Sequence, residues 1–130
     1  MSPLVLDTTV LIDALRGRPA AERIRTLAAE RQVLLTTVIN VEEIVRGLRP
    51  HEYAAANALF TAIRVLPVRE SDARRAGVWR WEHAARGITL HQADCLIGAV
   101  TAGIGARLAT GNVKDFPMPE VAAEEWSPGT

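Results

Sequence analysis

One cysteine, Cys95, is present in 130 residues. A disulfide framework and a multi-cysteine zinc site within the chain are therefore excluded. Cys95 reads as a small buried apolar side chain rather than a nucleophile. The three histidines, His51, His83 and His91, are scattered, and each is expected to be structural or at the surface. No apolar run approaches the roughly 18 to 20 residues that a membrane span needs. The first such run is broken at Asp7 and no basic n-region precedes it, so no leader is expected. A cytoplasmic location without a membrane partner is the default expectation. Net charge is also missing: its formal value is zero, which removes the basic field that favours non-specific nucleic-acid binding. Lysine is nearly absent, with one Lys to fourteen Arg. Arg is the better fork for phosphate, and Arg16, Arg18, Arg46 and Arg49 could steer a phosphate backbone. Aromatics are 5% of the chain, and among them Trp79, Trp81 and Phe116 could stack a base. Large aromatics more often serve a core or an interface.

Against these absences stands an ordinary globular composition, 48% apolar and 23% charged. The length suits one domain over 1–130 with a real core. The chain shows no repeat, linker or low-complexity segment. Leu4, Val5 and Leu6 read as a strand buried on both faces, because no polar residue alternates with them. Further strands are expected over 33–36, 65–68 and 107–110, with an edge strand over 121–123. The Pro in 65–68 suggests a sheet edge or strand end.

Helices are expected over 9–15, 20–31, 38–48, 52–63, 72–86 and 89–102. Thr8 or Thr9 is the expected cap of the first and Ser71 or Asp72 of the fifth. Val41, Ile44, Val45 and Leu48 form the apolar stripe of the third, and Ala55, Ala58, Leu59 and Ala62 that of the fourth. Strands alternating with helices predict an α/β fold with a mostly parallel sheet of four to five strands.

The chain has five Asp residues. Asp13 and Asp72 read as solvated helix or cap residues. The other three sit where chemistry is done in open α/β sheets. Asp7 ends the first strand, Asp115 follows the fourth, and Asp94 opens an apolar helix. Right-handed crossovers bring the carboxyl ends of parallel strands to one edge, where ligands bind. Three acids converging there, without His or Cys, would suit a hard cation such as Mg²⁺ or Mn²⁺. Without a cation the carboxylates repel, and at least one pKa should rise.

Four stretches then resemble one known family, in that family's order. They are Val5-Leu6-Asp7-Thr8-Thr9-Val10-Leu11-Ile12, the segment 37–48 with Glu43 four residues before Gly47, Asp94-Cys95-Leu96-Ile97-Gly98-Ala99, and the segment 108–116 with Thr110, Asn112 and Asp115-Phe116. Together they resemble the PIN-domain ribonucleases that act as VapC toxins of type II toxin–antitoxin pairs. The resemblance implies a single PIN-like domain. It implies that Asp7, Glu43, Asp94 and Asp115 bind Mg²⁺ or Mn²⁺ and carry catalysis. Thr9, Thr110 and Asn112 match the polar residues that line the site. Helical periodicity does not choose between Glu42 and Glu43; the spacing to Gly47 favours Glu43. The family often carries Arg at the position of Gly111 and Asp or Asn at that of Asn112. It also implies endonucleolytic cleavage of RNA, often tRNA or ribosomal RNA, to 5′-phosphate and 3′-hydroxyl ends. Its members commonly form homodimers, and a VapB antitoxin covers the acidic site in a toxin–antitoxin hetero-oligomer.

The alternative is a regulatory binding module, either a catalytically silent PIN-like protein or a receiver-like domain. A receiver needs adjacent acids after strand one and an Asp after the third strand. Here Asp7 stands alone, and 65–68 leads to Arg69.

Overall fold

The computed structural model describes residues 2–129. Five parallel strands form one sheet in the order β3-β2-β1-β4-β5. They are β1 (Leu4–Leu6), β2 (Leu34–Thr37), β3 (Arg64–Leu66), β4 (Arg107–Thr110) and β5 (Ala122–Glu125). The helices are α1 (Thr8–Leu15), α2 (Pro19–Ala29), α3 (Val38–Gly47), α4 (Tyr53–Ala62), α5 (Glu70–Ala84) and α6 (Gln92–Gly103). Short 3-10 turns cover Pro50–Glu52 and Val113–Asp115. Among the described residues no helix is long and apolar enough to cross a membrane.

The expected α/β sheet forms, and every strand pair in it is parallel. β1 lies at its centre, and Leu4, Val5 and Leu6 are all buried. Alternate residues of β1 feed two separate cores. Val5 packs with Trp79, Ile97, Leu108 and Met118 under α5 and α6. Leu4 and Leu6 pack with Leu11, Ile24, Ile44 and Ile63 under α1 to α4. Burying a leucine side chain contributes on the order of 2 kcal/mol, so a strand of three residues anchors both layers. β3 is an edge strand, as its Pro-flanked sequence suggested. α6 passes so close to the chain at Met118 and Val121 that a Cβ on Gly98 would stand 3.1 Å from each.

Several local expectations are corrected. Neither Thr8 nor Thr9 caps α1; Asp7 holds the N-cap position, and both threonines lie inside the helix. α5 begins at Glu70 after Arg69, and Asp72 caps it from within by accepting the Arg69 backbone N–H at 3.0 Å. Asp13 and Asp72 are buried rather than solvated. Asp72 is paired to the Arg69 guanidinium and Asp13 to that of Arg18. α3 is rotated from its apolar stripe: Val45 is 43% exposed, while Asn40 is fully buried. The buried hydrogen bonds of Asn40 decide that rotation over periodicity. α4 buries Ala56, with Leu59 and Phe60 packed inward, whereas Ala55, Ala58 and Ala62 are exposed. Bulk decides there, because alanines define an inward face weakly. Among the candidate aromatics, Trp79 and Phe116 are core residues and Trp81 is exposed.

Candidate active site

Asp7 follows β1 directly. Its backbone N–H extends the ladder to the Ala109 carbonyl at 2.9 Å, and its own carbonyl accepts from Val10 and Leu11 at the start of α1. The side chain is thereby held at the carboxyl edge of the sheet, where the strand stops and the helix begins. It is 6% exposed. Its two oxygens are divided between neighbours. Thr110, at the end of β4, donates to Oδ2 at 2.7 Å. Asn40, in the first turn of α3, donates to Oδ1 at 3.1 Å. Burial pushes the Asp7 carboxyl above its ordinary value, opposed by the Thr110 hydroxyl, and Glu43 adds repulsion.

Glu43 lies one helical turn beyond Asn40 on the same face of α3. It is half-buried, and its Oε1 accepts from the Thr8 hydroxyl at 2.7 Å. Glu42 is exposed. Rotation of α3 thus separates the adjacent pair: Glu43 turns toward the sheet edge and Glu42 toward water. Thr8 also accepts from the Asn40 amide at 3.0 Å. The Asn40 carbonyl oxygen is itself taken by the Thr37 hydroxyl at 2.7 Å. One buried amide therefore ties Asp7 and Glu43 into a single network.

Asp115 lies in the 3-10 turn after β4 and accepts from the Asn112 amide at 2.7 Å. The Asn112 backbone N–H in turn donates to Thr110 Oγ1 at 3.1 Å. Asp94, the third residue of α6, faces the other acids. Its pKa is pushed up to about 6 by partial burial and then by Asp115, Asp7 and Glu43, with His91 opposing. Among the described residues no hydrogen-bond donor reaches its carboxylate, unlike those of its three neighbours. The structure therefore brings Asp7, Glu43, Asp94 and Asp115 to one edge from four separate segments. It also places Thr110 and Asn112 on those acids. Thr9 is turned elsewhere, and its hydroxyl accepts from the Gly111 N–H at 2.8 Å. The hydroxyl that engages an acid from this turn is that of Thr8.

Asn40, Thr8 and Thr37 were missed by motif reasoning. The sequence did carry a signal: Thr37-x-x-Asn40 has capping-box spacing, and Asn40-x-x-Glu43 puts two polar groups on one helical face. Of the arginines expected near the acids, Arg16 lines a small pocket with Glu43. Arg18 is occupied by Asp13. Arg86, His91 and Lys114 line a cavity of about 450 Å³ that Asp94 and Asp115 also border.

The donor set suits a hard divalent cation, since four carboxylates present only oxygen and their mutual repulsion is relieved by positive charge. Among the described residues, no three His, Cys, Asp or Glu side chains are already closed around one point that could hold an ion. Three of the four acids are spanned instead by neutral donors, from Asn40, Thr110, Thr8 and Asn112.

The PIN-domain family model matches residues 4–120. The chain belongs to the PIN-domain family. Within that family its similarity is to VapC proteins. Ribonuclease VapC19 of Mycobacterium tuberculosis (strain ATCC 25618 / H37Rv) is 37% identical over 127 residues, covering 88% of this chain and 92% of that protein. Ribonuclease VapC10 of the same strain is 33% identical over 117 residues, covering 90% and 88%. A chain of DNA-bound VapBC from Salmonella typhimurium shares the fold, with a TM-score of 0.83 at 23% identity, over 97% of this chain and 99% of that one. The PIN fold places the β1, β2 and β4 ends and the start of α6 around one acidic edge.

Proposed function

We propose that this PIN-domain protein is the ribonuclease toxin of a VapBC pair, cleaving RNA endonucleolytically with Mg²⁺ or Mn²⁺ held by Asp7, Glu43, Asp94 and Asp115. The observation that carries this reading is the convergence of four carboxylates on a sheet edge, three of which raise the pKa of Asp94. Their hydrogen bonds to neutral groups leave the cluster with a net negative charge that only a cation or protons can offset. Such an ion supplies two things when bound, activation of water near neutral pH and stabilisation of charge on the leaving oxygen.

The protein's own residues set the positions. Asn40 and Thr110 fix the Asp7 carboxylate from opposite sides, so it is preorganised and loses little freedom on engaging an ion. Thr8 holds Glu43, and Asn112 holds Asp115, in the same way. Asp94 lacks such a donor and is the acid whose charged form gains most from a cation. In-line attack of water would leave a 5′-phosphate and a 3′-hydroxyl, and single-stranded tRNA or ribosomal RNA segments are the expected targets.

The partner reading rests on structures of the same fold. These include VapBC complexes from Rickettsia felis and Salmonella typhimurium and a FitAB complex bound to DNA. A VapB-type antitoxin covering the acidic edge would form a toxin–antitoxin hetero-oligomer, with the toxin a homodimer. Action on cytoplasmic RNA follows from the same role. The deciding experiment is an RNA digest with EDTA and then with Mg²⁺ or Mn²⁺, comparing the wild type with Asp7→Ala and Asp94→Ala. Cleavage is expected only with the metal and the intact acids. Activity indifferent to chelation and to both substitutions would sink the mechanism.

A further inference from the structure

The cavity beside the acids is also lined by residues that are not part of the acid cluster. They include His83 from α5, Arg86, Thr89 and His91 from the link to α6, and Lys114 from the turn after β4. Arg86 and Lys114 are exposed, and neither forms an ion pair among the described residues. The cavity therefore carries charge of both signs, with Asp94 and Asp115 beside Arg86 and Lys114 in its lining. Its volume, about 450 Å³, falls in the range of small-molecule sites and is enough for one nucleotide.

His83 is 6% exposed. Its Nδ1 lies 2.9 Å from the Trp79 carbonyl oxygen. A carbonyl only accepts, so Nδ1 carries the proton, and in the neutral ring Nε2 is left with a lone pair. No group among the described residues takes that nitrogen. No buried side-chain nitrogen or oxygen lacks a partner among the described residues, so Nε2 is not sealed from solvent. His83 is among the residues that line the cavity. The wall is also firmly built. Gly87, at φ 77°, reverses the chain after α5, and the Ile88 N–H returns to the His83 carbonyl at 2.8 Å. A residue with a Cβ is strained at that backbone angle. Ile88, Leu90 and Pro117 supply apolar surface on the same cavity.

We infer that this cavity is a nucleotide subsite of the ribonuclease, holding the RNA unit next to the cleaved bond. The adjacent phosphate lies against Arg86 and Lys114, the base lies on the apolar wall, and an N–H of the base donates to His83 Nε2. Sequence preference at that one position follows from His83, and backbone affinity from Arg86 and Lys114. This rests on the ribonuclease reading above.

The test has two arms. In the first, cut sites in a randomised RNA are mapped for the wild type, His83→Asn and an Arg86→Ala/Lys114→Ala double variant. Asn can keep the bond to the Trp79 carbonyl but removes the Nε2 edge. A preference at one flanking position is expected in the wild type. It should flatten by about tenfold in His83→Asn, the scale of losing one specific base contact. The double variant should cut more weakly, with a shallower salt dependence and the preference intact. In the second arm, AMP, CMP, GMP and UMP are titrated without metal, and the imidazole Cε1–H resonance of His83 is followed by NMR. A saturable shift, weakened in the double variant, is expected. This arm needs no cleavage and no folded His83 variant. Binding without any RNA cleavage would support the subsite and overturn the ribonuclease reading. RNA cleavage with an unchanged profile in a folded His83→Asn, or nucleotides that leave the His83 resonance unmoved, would overturn the subsite.

Discussion

The amide of Asn40 donates to Asp7 Oδ1 at 3.1 Å from a position with no solvent exposure. The same amide reaches Thr8, which holds Glu43. A neutral residue thereby links two acids that repel each other.

Removing that amide should cost both stability and activity. In Asn40→Ala, Asp7 loses a donor while staying buried, and the Thr37 hydroxyl loses its acceptor. A buried carboxylate left short of a donor costs about 1–3 kcal/mol. Urea denaturation of the metal-free protein should show a loss of that size, and RNA cleavage should fall by about 10- to 100-fold, the usual cost of losing a group that orients a metal ligand. An unchanged midpoint would mean that the Asp7 contact contributes nothing net.

Glu42 and Glu43 offer a sharper comparison, being identical in chemistry and adjacent in sequence. Glu42→Gln should leave stability within about 0.5 kcal/mol, as exposed substitutions do, and cleavage near wild type. Glu43→Gln should lower cleavage by at least about a hundredfold, more than loss of a supporting hydrogen bond alone. Equal effects from the two substitutions would contradict the orientation of α3.

The parts of this arrangement that were legible in the sequence are those set by strong, one-signed patterns. Leu4 to Leu6 read as a strand buried on both faces, and an acid at its end could be placed by topology. β4, over 107–110, was read without error in its bounds. The helix faces were less legible, for a specific reason. Apolar periodicity assumes that apolar residues decide rotation, yet in α3 a buried amide decides it and leaves Val45 exposed. Asp13 failed for the same reason: its hydrogen bonds come from Arg18, five residues on, and from Gly129, across the whole chain. A donor 116 positions away leaves no local pattern. The cavity by α6 was hidden likewise, because scattered histidines are joined only by the fold.

Asp13 yields a stability prediction in its own right. It is 5% exposed and accepts from the Arg18 guanidinium and from the Gly129 N–H, the latter at 2.8 Å. Burial raises its pKa, but the Gly129 and Arg18 interactions outweigh that and hold it below the ordinary carboxylate value. An acid with a depressed folded pKa contributes stability above its unfolded value, 3.8, which is lost as pH falls through the folded one. Asp13→Ala should therefore destabilise the protein by about 1–3 kcal/mol at pH 7, with the difference shrinking as pH drops below about 4. It should also free the segment around Gly129 for limited proteolysis. A midpoint that is unchanged at pH 7 would refute the anchoring role.

Asp94 should show the opposite pH dependence. Its folded pKa of about 6 exceeds the ordinary 3.8, so the folded state holds the Asp94 proton more tightly than the unfolded chain does. The stabilising contribution is complete below about pH 4 and disappears as pH rises through about 6. Asp7 is shifted in the same direction. Metal-free protein should thus lose thermal stability between about pH 4 and pH 7, on top of any background slope. Asp94→Asn should lose less over that range, because its side chain cannot ionise, and should be more stable than the wild type at pH 8 while failing to cleave RNA. Millimolar Mg²⁺ or Mn²⁺ should raise the wild-type Tm more at pH 8 than at pH 5, since protons compete for the same carboxylates. Thermal melts across this pH range, with and without metal, give all three comparisons. Parallel pH profiles for wild type and Asp94→Asn would show that the acids do not burden the metal-free fold, and with that the electrostatic case for a cation at this edge would fail.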